Sequence, residues 1–429
     1  MYKINNILRF IYVIPLFFLI SSARADLDLV IDKSGDEAAV RLLVAAFPTP
    51  FSQRMRSIIM ADLKRSGRFK FVDPATAGNI APFGGSLNPQ QLKRSGAEFL
   101  IRGTEIKHNG AVDLSVEIID INNGRKIAGF ITPHQPRQRS IAHKTADAIF
   151  KQLTGVRGAF DTRVAYVAAK GAGNDRIYQL IVADADGYND QSVVTSLEPI
   201  MSIAWSPTGK EIAYVSFESG KPAIYIQDLR SGKRRLISAR KGINGAPAWS
   251  RDGRRLAVSL SLEGNPEIYI IDIATGSLTR VTHSRGIDTE PSWTSDGASI
   301  VFTSDRGGSP QLYRIAASGK SRAQRLTFSG KYNSAADVVG NKLALIRQSA
   351  GKFRVVLMDM QSGESDIISN GSLDESPSLA PNGAMVLYET RGKKHRHALG
   401  VASDNGRANT LLRTPYSDVG HPAWSPYLY

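Results

Sequence analysis

From residue 163 onward the chain alternates apolar and polar positions in short runs, and the runs recur as a unit. The unit is clearest over residues 246–282, APAWSRDGRRLAVSLSLEGNPEIYIIDIATGSLTRVT. A small residue and a tryptophan meet an Asp-Gly turn. An alternating run follows, then a Gly-Asn turn, a second alternating run, a Thr-Gly turn and a last short run. Alternation with period 2, bounded by Gly, Asn and Asp, predicts β-strands, four to the unit. The unit returns over 202–238 (SIAWSPTGKEIAYVSFESGKPAIYIQDLRSGKRRLIS) and 290–327, with weaker copies beginning at Ser334 and Ser376. Its landmark positions are Trp205, Trp249, Trp293, Val338, Leu379 and Trp424, spaced by 44, 44, 45, 41 and 45 residues. Four short strands repeated every ~40–45 residues are the pattern of a β-propeller blade. After Trp205, Ile212, Tyr214 and Ser216 fall on one face and Ala213, Val215 and Phe217 on the other. Both faces are largely apolar, as a sheet sandwiched between two others requires.

The first and last copies are incomplete in complementary ways. HPAWSPYLY, residues 421–429, supplies an innermost strand and its turn. RVAYVAAKG, residues 163–171, matches the second strand of the unit and has no innermost strand before it. Joining them completes six blades and leaves no unpaired inner strand. Each landmark tryptophan is expected to wedge between blades, where truncation to Ala costs about 3–5 kcal/mol.

Residues 26–160 have another rhythm. Residues 40–47 and 69–72 read as strands, as do 99–106, 112–119 and 126–131 after an Asn-Asn-Gly turn. Residues 52–65 place Met55, Ile58, Ile59 and Leu63 on one helical stripe stopped by Gly67. Residues 90–94 form a short helix, and 140–153 a longer one with Ile141, Ala148, Ile149 and Leu153 inward and Thr145 interrupting the stripe. Residues 75–89 are rich in Gly and Pro and read as a loop. The expectation is two domains: a small N-terminal α/β domain with a mixed sheet covered on one side (38–160), followed by a six-bladed β-propeller closed by the C-terminal strand (161–429).

Composition removes several chemistries. The 429 residues contain no Cys, which excludes a thiol catalyst, a thiolate metal site and disulfides. Lys3 and Arg9, the apolar run IYVIPLFFLI and Ala23-Arg24-Ala25 read as a cleaved secretory signal over residues 1–25, and no second span follows. The expected product is exported to a bacterial periplasm, with no membrane span. The formal net charge is +15, but the basic residues are scattered and no aromatic-interleaved signature accompanies them, so no nucleic-acid partner is expected. They read as a solvated surface, with adhesion to envelope anions the lesser possibility.

No G-x-S-x-G, phosphate-binding loop or H-E-x-x-H occurs. None of the seven histidines stands four residues from another, and His395-Arg396-His397 lies in a basic run that repels a cation. Asp184-Ala-Asp186-Gly187-Tyr-Asn-Asp190 faintly resembles a calcium loop but lacks the twelve-residue layout and the terminal bidentate Glu, and reads as a turn between the third and fourth strands of its blade. Neither metal nor cofactor is expected. One constellation stands out: the segments entering the inner strands, Glu198-Pro199, 244–247, 288–291, 374–377 and 420–422, are expected to meet at one mouth of the channel. Their prolines hold an extended shape and their carboxylates are expected to point near the axis. Paired carboxylates there suit glycoside hydrolysis; a rigid polar rim equally suits docking of a protein loop. Residues 26–37 also leave two readings open. Leu27, Leu29 and Ile31 alternate against mostly acidic positions, either as the first strand of the chain's own sheet or as a free segment able to add to another protein's sheet.

At these residues a resemblance appears. AWSPTGKEIAYVSFESG, NGAPAWSRDG, TEPSWTSDG, VFTSDRGGSPQLYRI, LDESPSLAPNGAMVLY, HPAWSPYL, the linker LTGVRGAFDTRVAYV and the early LVID resemble the TolB family, periplasmic components of the Tol–Pal system, over essentially the whole chain after the signal. The resemblance implies a non-enzymatic, monomeric interaction protein that supports outer-membrane integrity and constriction during cell division. It implies Pal lipoprotein binding at the propeller mouth through Asn244, Gly245, Ala246, Thr289, Glu290 and Glu375. It implies TolA binding through Asp26, Leu27, Asp28, Leu29, Val30, Ile31 and Asp32, and so favours the free reading of residues 26–37. The chain departs from the family pattern at Thr208, where the turn Asp is replaced, and at Val338–Lys342, which has neither Trp nor Asp-Gly. The competing reading is an exported propeller hydrolase acting on envelope glycan or peptide.

Overall fold

The computed structural model describes residues 39–428 except 109, 172 and 393–395. The signal and residues 26–37 therefore lie outside the described residues.

The α/β part contains β1 (Val40–Val44), α1 (Pro50–Arg65), β2 (Phe69–Val72), α2 (Pro89–Lys93), β3 (Phe99–His108), β4 (Ala111–Asp120), β5 (Arg125–Thr132) and α3 (Gln138–Thr154). The strands form one mixed sheet in the order β2-β1-β3-β4-β5, with β1 parallel to β2 and β3. Thr49 starts α1: its hydroxyl accepts from Ser52 N and Ser52 Oγ accepts from Thr49 N, both at 3.1 Å, a reciprocal cap. Gly67 ends it at φ +67°, and a Cβ there would sit 2.4 Å from Ser403 Oγ of the last blade. Glycine thus serves both the left-handed turn and the close approach of the two parts.

Helices α1 and α3 cover one sheet face through Met55, Ile59, Leu63, Ile141, Ile149 and Phe150. The same core runs on into the propeller through Phe160, Tyr166, Leu387, Leu399 and Trp424. The α3 stripe differs from the sequence reading. Ala148 and Leu153 are half-buried, whereas His143 and Thr145 are fully buried. Thr145 fits because its hydroxyl donates to Ile141 O and pairs with Thr132 Oγ1, each at 2.7 Å.

The second sheet face is not bare, contrary to expectation. Leu43, Leu100 and Ile119 pack beneath Ala77 and Leu92, so the Gly/Pro-rich stretch is a lid with its own small core. Its anchor is the buried pair Arg102–Glu117 (2.6 Å), from which Arg102 Nη1 donates to the carbonyls of Ala81, Pro82 and Gly85. Those donors satisfy backbone groups that a buried loop would otherwise leave unmet.

The propeller has six four-stranded antiparallel sheets. Blade one is β6 (Arg163–Lys170), β7 (Ile177–Asp184) and β8 (Gln191–Ser196), completed by the C-terminal strand Val419–Trp424. That strand pairs with β6 from Val419–Ala168 to Trp424–Val164, closing the ring as expected. The other five blades follow one another, with inner strands Ile200–Trp205, Asn244–Trp249, Asp288–Trp293, Asn333–Val339 and Glu375–Leu379.

The tryptophans link neighbouring blades. Trp205 Nε1 donates to Ala423 O (3.1 Å), Trp249 to Ala204 O (3.2 Å) and Trp293 to Ala248 O (3.1 Å). Trp424 donates to Thr162 Oγ1 at 2.8 Å. Between the two copies that lack Trp, beginning at Ser334 and Ser376, the link is a carboxylate: Asp337 Oδ2 accepts from Leu379 N of the next blade at 2.6 Å. Burial holds that carboxyl above its ordinary pKa, against the hydrogen bonds it accepts.

Candidate functional site

Every inner strand is interrupted at the same place. Its pairing with the second strand shifts register at Ala204, Ala248, Ser292, Asp337, Ser378 and Ala423. Two residues earlier the backbone turns left-handed, at Ser202, Ala246, Glu290, Ala335, Ser376 and His421, with φ between 47° and 55°. These six are three-quarters of the eight non-glycine residues with positive φ among the described residues. A left-handed non-glycine residue costs roughly 1–2 kcal/mol, so six at equivalent positions mark a built feature. All six line one cavity of about 160 Å³ at the channel mouth. Proline follows at 247, 291, 377 and 422. The bulges thus lie within the strands, where the sequence placed entering loops.

The mouth corrects the expected ring of carboxylates. Asp288 and Asp374 are fully buried and do not reach the axis. Asn244, Asp288 and Asn333 begin their inner strands, Asp374 immediately precedes its own, and all four hold the preceding loop. Asn244 Oδ1 accepts from Ser238 Oγ (2.6 Å) and Arg240 N (3.0 Å), and Nδ2 donates to Arg240 O (2.7 Å). Asn333 Nδ2 donates to Ser329 O and Gln311 Oε1. Asp374 accepts from Thr390 and Ser369, and Asp288 pairs with Arg306. Burial raises both acids, Asp288 to about 6. Glu198-Pro199 falls outside the set, because the repeat aligns Ser202, not Glu198, with Glu290. Recurrence of Asn or Asp at one repeat position in four blades was the available signal that these residues belong to the scaffold.

Of the residues the sequence singled out, Gly245, Ala246, Thr289 and Glu290 are half-buried at the mouth, Glu375 is exposed and Asn244 is buried. Glu290 Oε2 accepts from Thr303 Oγ1 (2.8 Å) and from the left-handed Ala335 N of the next blade (2.9 Å). Glu389 repeats the device two blades on, accepting from His421 N at 2.9 Å while its other oxygen meets His397 Nδ1. Glu290 and Glu375 come together in a side pocket of about 370 Å³ whose walls include Tyr332, Phe353 and Leu373. Tyr332 and Phe353 meet edge to face at 5.4 Å. Burial, then the neighbouring Glu389, raises the Glu375 pKa. Burial lowers that of His421 although Glu389 opposes it. Beside the mouth Ile243 and Ile287 are each 48% exposed and Leu197 is 71% exposed. Tyr332, Phe353 and Glu389 were not singled out from the sequence, and His397 was weighed there only as a metal ligand; they lie on second and third strands or loops and meet the rim only across the sheet.

The arrangement is a rigid mosaic of apolar side chains, backbone groups and acids. It is suited to gripping a protein segment with apolar anchors and donors. It is poorly suited to general acid–base work, since Glu290 already serves as a clamp between blades.

Away from the mouth, Asp62, His143 and Asp186 are the group among the described residues whose ligand atoms lie close enough, within 4.8 Å, to hold a metal ion. Both acids are already paired, Asp62 with Arg65 (2.8 Å) and Asp186 with Arg139. His143 Nδ1 lies 2.7 Å from Asp62 Oδ2. Burial opposes its charge, but Asp62 and Asp186 outweigh burial and raise its pKa to about 9. A protonated imidazole between two paired acids is an ion-pair knot joining α1, α3 and the turn after β7. That turn is the one that faintly resembled a calcium loop.

Among the described residues no helix is long and apolar enough to cross a membrane. Comparison with known proteins adds the lineage. Residues 150–428 match the TolB beta propeller domain and residues 27–127 the TolB amino-terminal domain. The Tol-Pal system protein TolB of Xanthomonas campestris pv. campestris (strain B100) is 52% identical over 377 residues, covering 86% of this chain and 85% of that one. The protein of the same description from Xanthomonas oryzae pv. oryzae (strain MAFF 311018) is 48% identical over 434 residues, 98% of each chain. The crystal structure of TolB from Acinetobacter baumannii superposes with a TM-score of 0.84 at 37% identity, covering 91% of this chain and 98% of that one. With both parts matched in order, the chain belongs to the TolB family.

Proposed function

We propose that this protein is a non-enzymatic periplasmic component of a Tol–Pal system that holds the lipoprotein Pal at its propeller mouth and offers residues 26–32 to TolA, supporting outer-membrane integrity and constriction at division. Family membership supports the system. The observation that carries the mouth is the cavity lined by six left-handed residues, flanked by the side pocket of Glu290, Glu375, Tyr332 and Phe353. Backbone held rigid before binding loses little entropy on docking, which favours affinity per contact. The alternating, acid-rich residues 26–32 suit addition to a sheet edge.

Thr289→Arg with Glu375→Arg tests the mouth, since Glu375 is exposed and Thr289 Oγ1 meets the neighbouring blade only through a 3.3 Å contact with Ser259 Oγ. Calorimetric binding of purified Pal is expected to weaken at least about 100-fold, the loss of a few kcal/mol that a buried like-sign or bulky intrusion produces. Unchanged binding by a variant that keeps its thermal midpoint means the docking site lies elsewhere. Removal of residues 26–37 is expected to abolish TolA capture and leave the folded part intact; retained capture refutes the terminal-segment reading.

A further inference from the structure

A second cavity, of about 270 Å³, lies between α3 and blade one, away from the mouth. Its walls include Arg137, Ser140, His143, Asp161, Arg163 and Asp184. The two acids already have donors. Asp161 accepts from Ser140 Oγ at 2.7 Å, with Lys144 at 3.9 Å. Asp184 accepts from Asn189, with Arg137 at 3.7 Å. The groups with unmet capacity are donors. His143 is 1% exposed and its Nε2 makes no hydrogen bond, the nearest carboxylate oxygen, on Asp186, being 3.6 Å away. Because its other nitrogen faces Asp62 and the ring is held protonated, Nε2 carries a hydrogen that no acceptor meets within hydrogen-bond distance. The guanidinium of Arg163 makes no hydrogen bond or close ion pair among the described residues. Burial, followed by repulsion from Arg137, lowers its pKa, although Asp184 and Asp161 oppose this.

A half-buried pocket where the Arg163 guanidinium and His143 Nε2 make no hydrogen bond among the described residues, and Arg137 has only a 3.7 Å contact with Asp184, has donor capacity to spare for an acceptor. We propose that this cavity is a binding site for a small oxyanion, a carboxylate or phosphate group, held by Arg163, His143 Nε2 and Arg137. Such a ligand would touch α3 and β6 at once and tie the α/β part to the propeller. The volume admits a phosphate or a short carboxylic acid; Asp161 and Asp184 on the same wall disfavour polyanions.

The test is thermal unfolding of the full chain in inorganic phosphate, acetate or chloride at matched ionic strength and pH 7. A ligand that binds only the folded state raises the midpoint in proportion to ln(1 + [L]/Kd). A saturable rise with phosphate or acetate beyond chloride is expected, and the anion that acts names the source. Arg163→Gln is expected to weaken the apparent affinity at least tenfold. Arg137→Gln, whose side chain is 45% exposed and tolerates change, serves if the first variant does not fold and is expected to weaken it several-fold. No difference between the three anions, or the same rise in both variants, overturns the assignment.

Discussion

Asp62→Asn removes the nearer of the two carboxylates that hold a proton on His143. In the unaltered protein Nδ1 lies 2.7 Å from Asp62 Oδ2, and the ring is 1% exposed. Burial alone drives an imidazole below its ordinary value, so the rise to about 9 is the surplus that Asp62 and Asp186 supply over desolvation. Moving a pKa from 6.5 to about 9, at 1.36 kcal/mol per pH unit, corresponds to about 3 kcal/mol. The folded state binds this proton more tightly than the unfolded chain. The stabilisation is therefore complete below about pH 6.5 and lost as pH rises through about 9. In Asp62→Asn burial prevails, the ring is neutral at pH 7, and that pH dependence disappears. The assay is a titration of the ring carbons by NMR in histidine-labelled protein, paired with urea unfolding at pH 6.5 and 9.5. His143→Asn identifies the resonance. A ring that titrates at or below 6.5 in the unaltered protein refutes the reasoning, as does an equal loss of stability between the two pH values in Asp62→Asn.

Two further expectations concern the wheel itself. Trp249→Phe keeps a ring between two blades but removes the N–H that meets Ala204 O at 3.2 Å; urea unfolding should show a loss of about 1–2 kcal/mol, and a neutral effect would mean the bond contributes nothing. Asn244→Ala leaves the backbone N–H of Arg240 and the carbonyls of Arg240 and Gly242 without their partner, so a loss of about 2 kcal/mol is expected in the same measurement. Stability unchanged by that substitution, with Pal binding lost, would instead make Asn244 a contact residue.

The wheel was legible because each blade is built from residues near one another in sequence. Period 2 and the spacing of Trp205, Trp249, Trp293 and Trp424 reveal strands, blade count and closure, and the observed register from Val419 to Trp424 against β6 agrees. The α/β elements were found for the same reason, their boundaries shifting by one to three residues as helix caps and strand ends settle. The lid over the second sheet face was not found. A Gly/Pro-rich stretch carries no periodicity, and its anchor Arg102 looks like any strand residue until its donors meet Ala81, Pro82 and Gly85.

At the mouth, sequence brought the right segments together and misjudged where their acids lie. Asp288 and Glu290 are two residues apart, yet one is fully buried beneath the strand and the other clamps the next blade, because a bulge between pairs reorients what alternation would place on one face. Local order along the chain thus determined the propeller, its six-fold count and the place of its rim. Tertiary structure alone decided which polar groups remain free to meet a partner and brought Asp62, His143 and Asp186 into one buried knot. Hydrogen-bond capacity and charge are settled by neighbours in space, and those neighbours come from distant segments whose meeting no local pattern records.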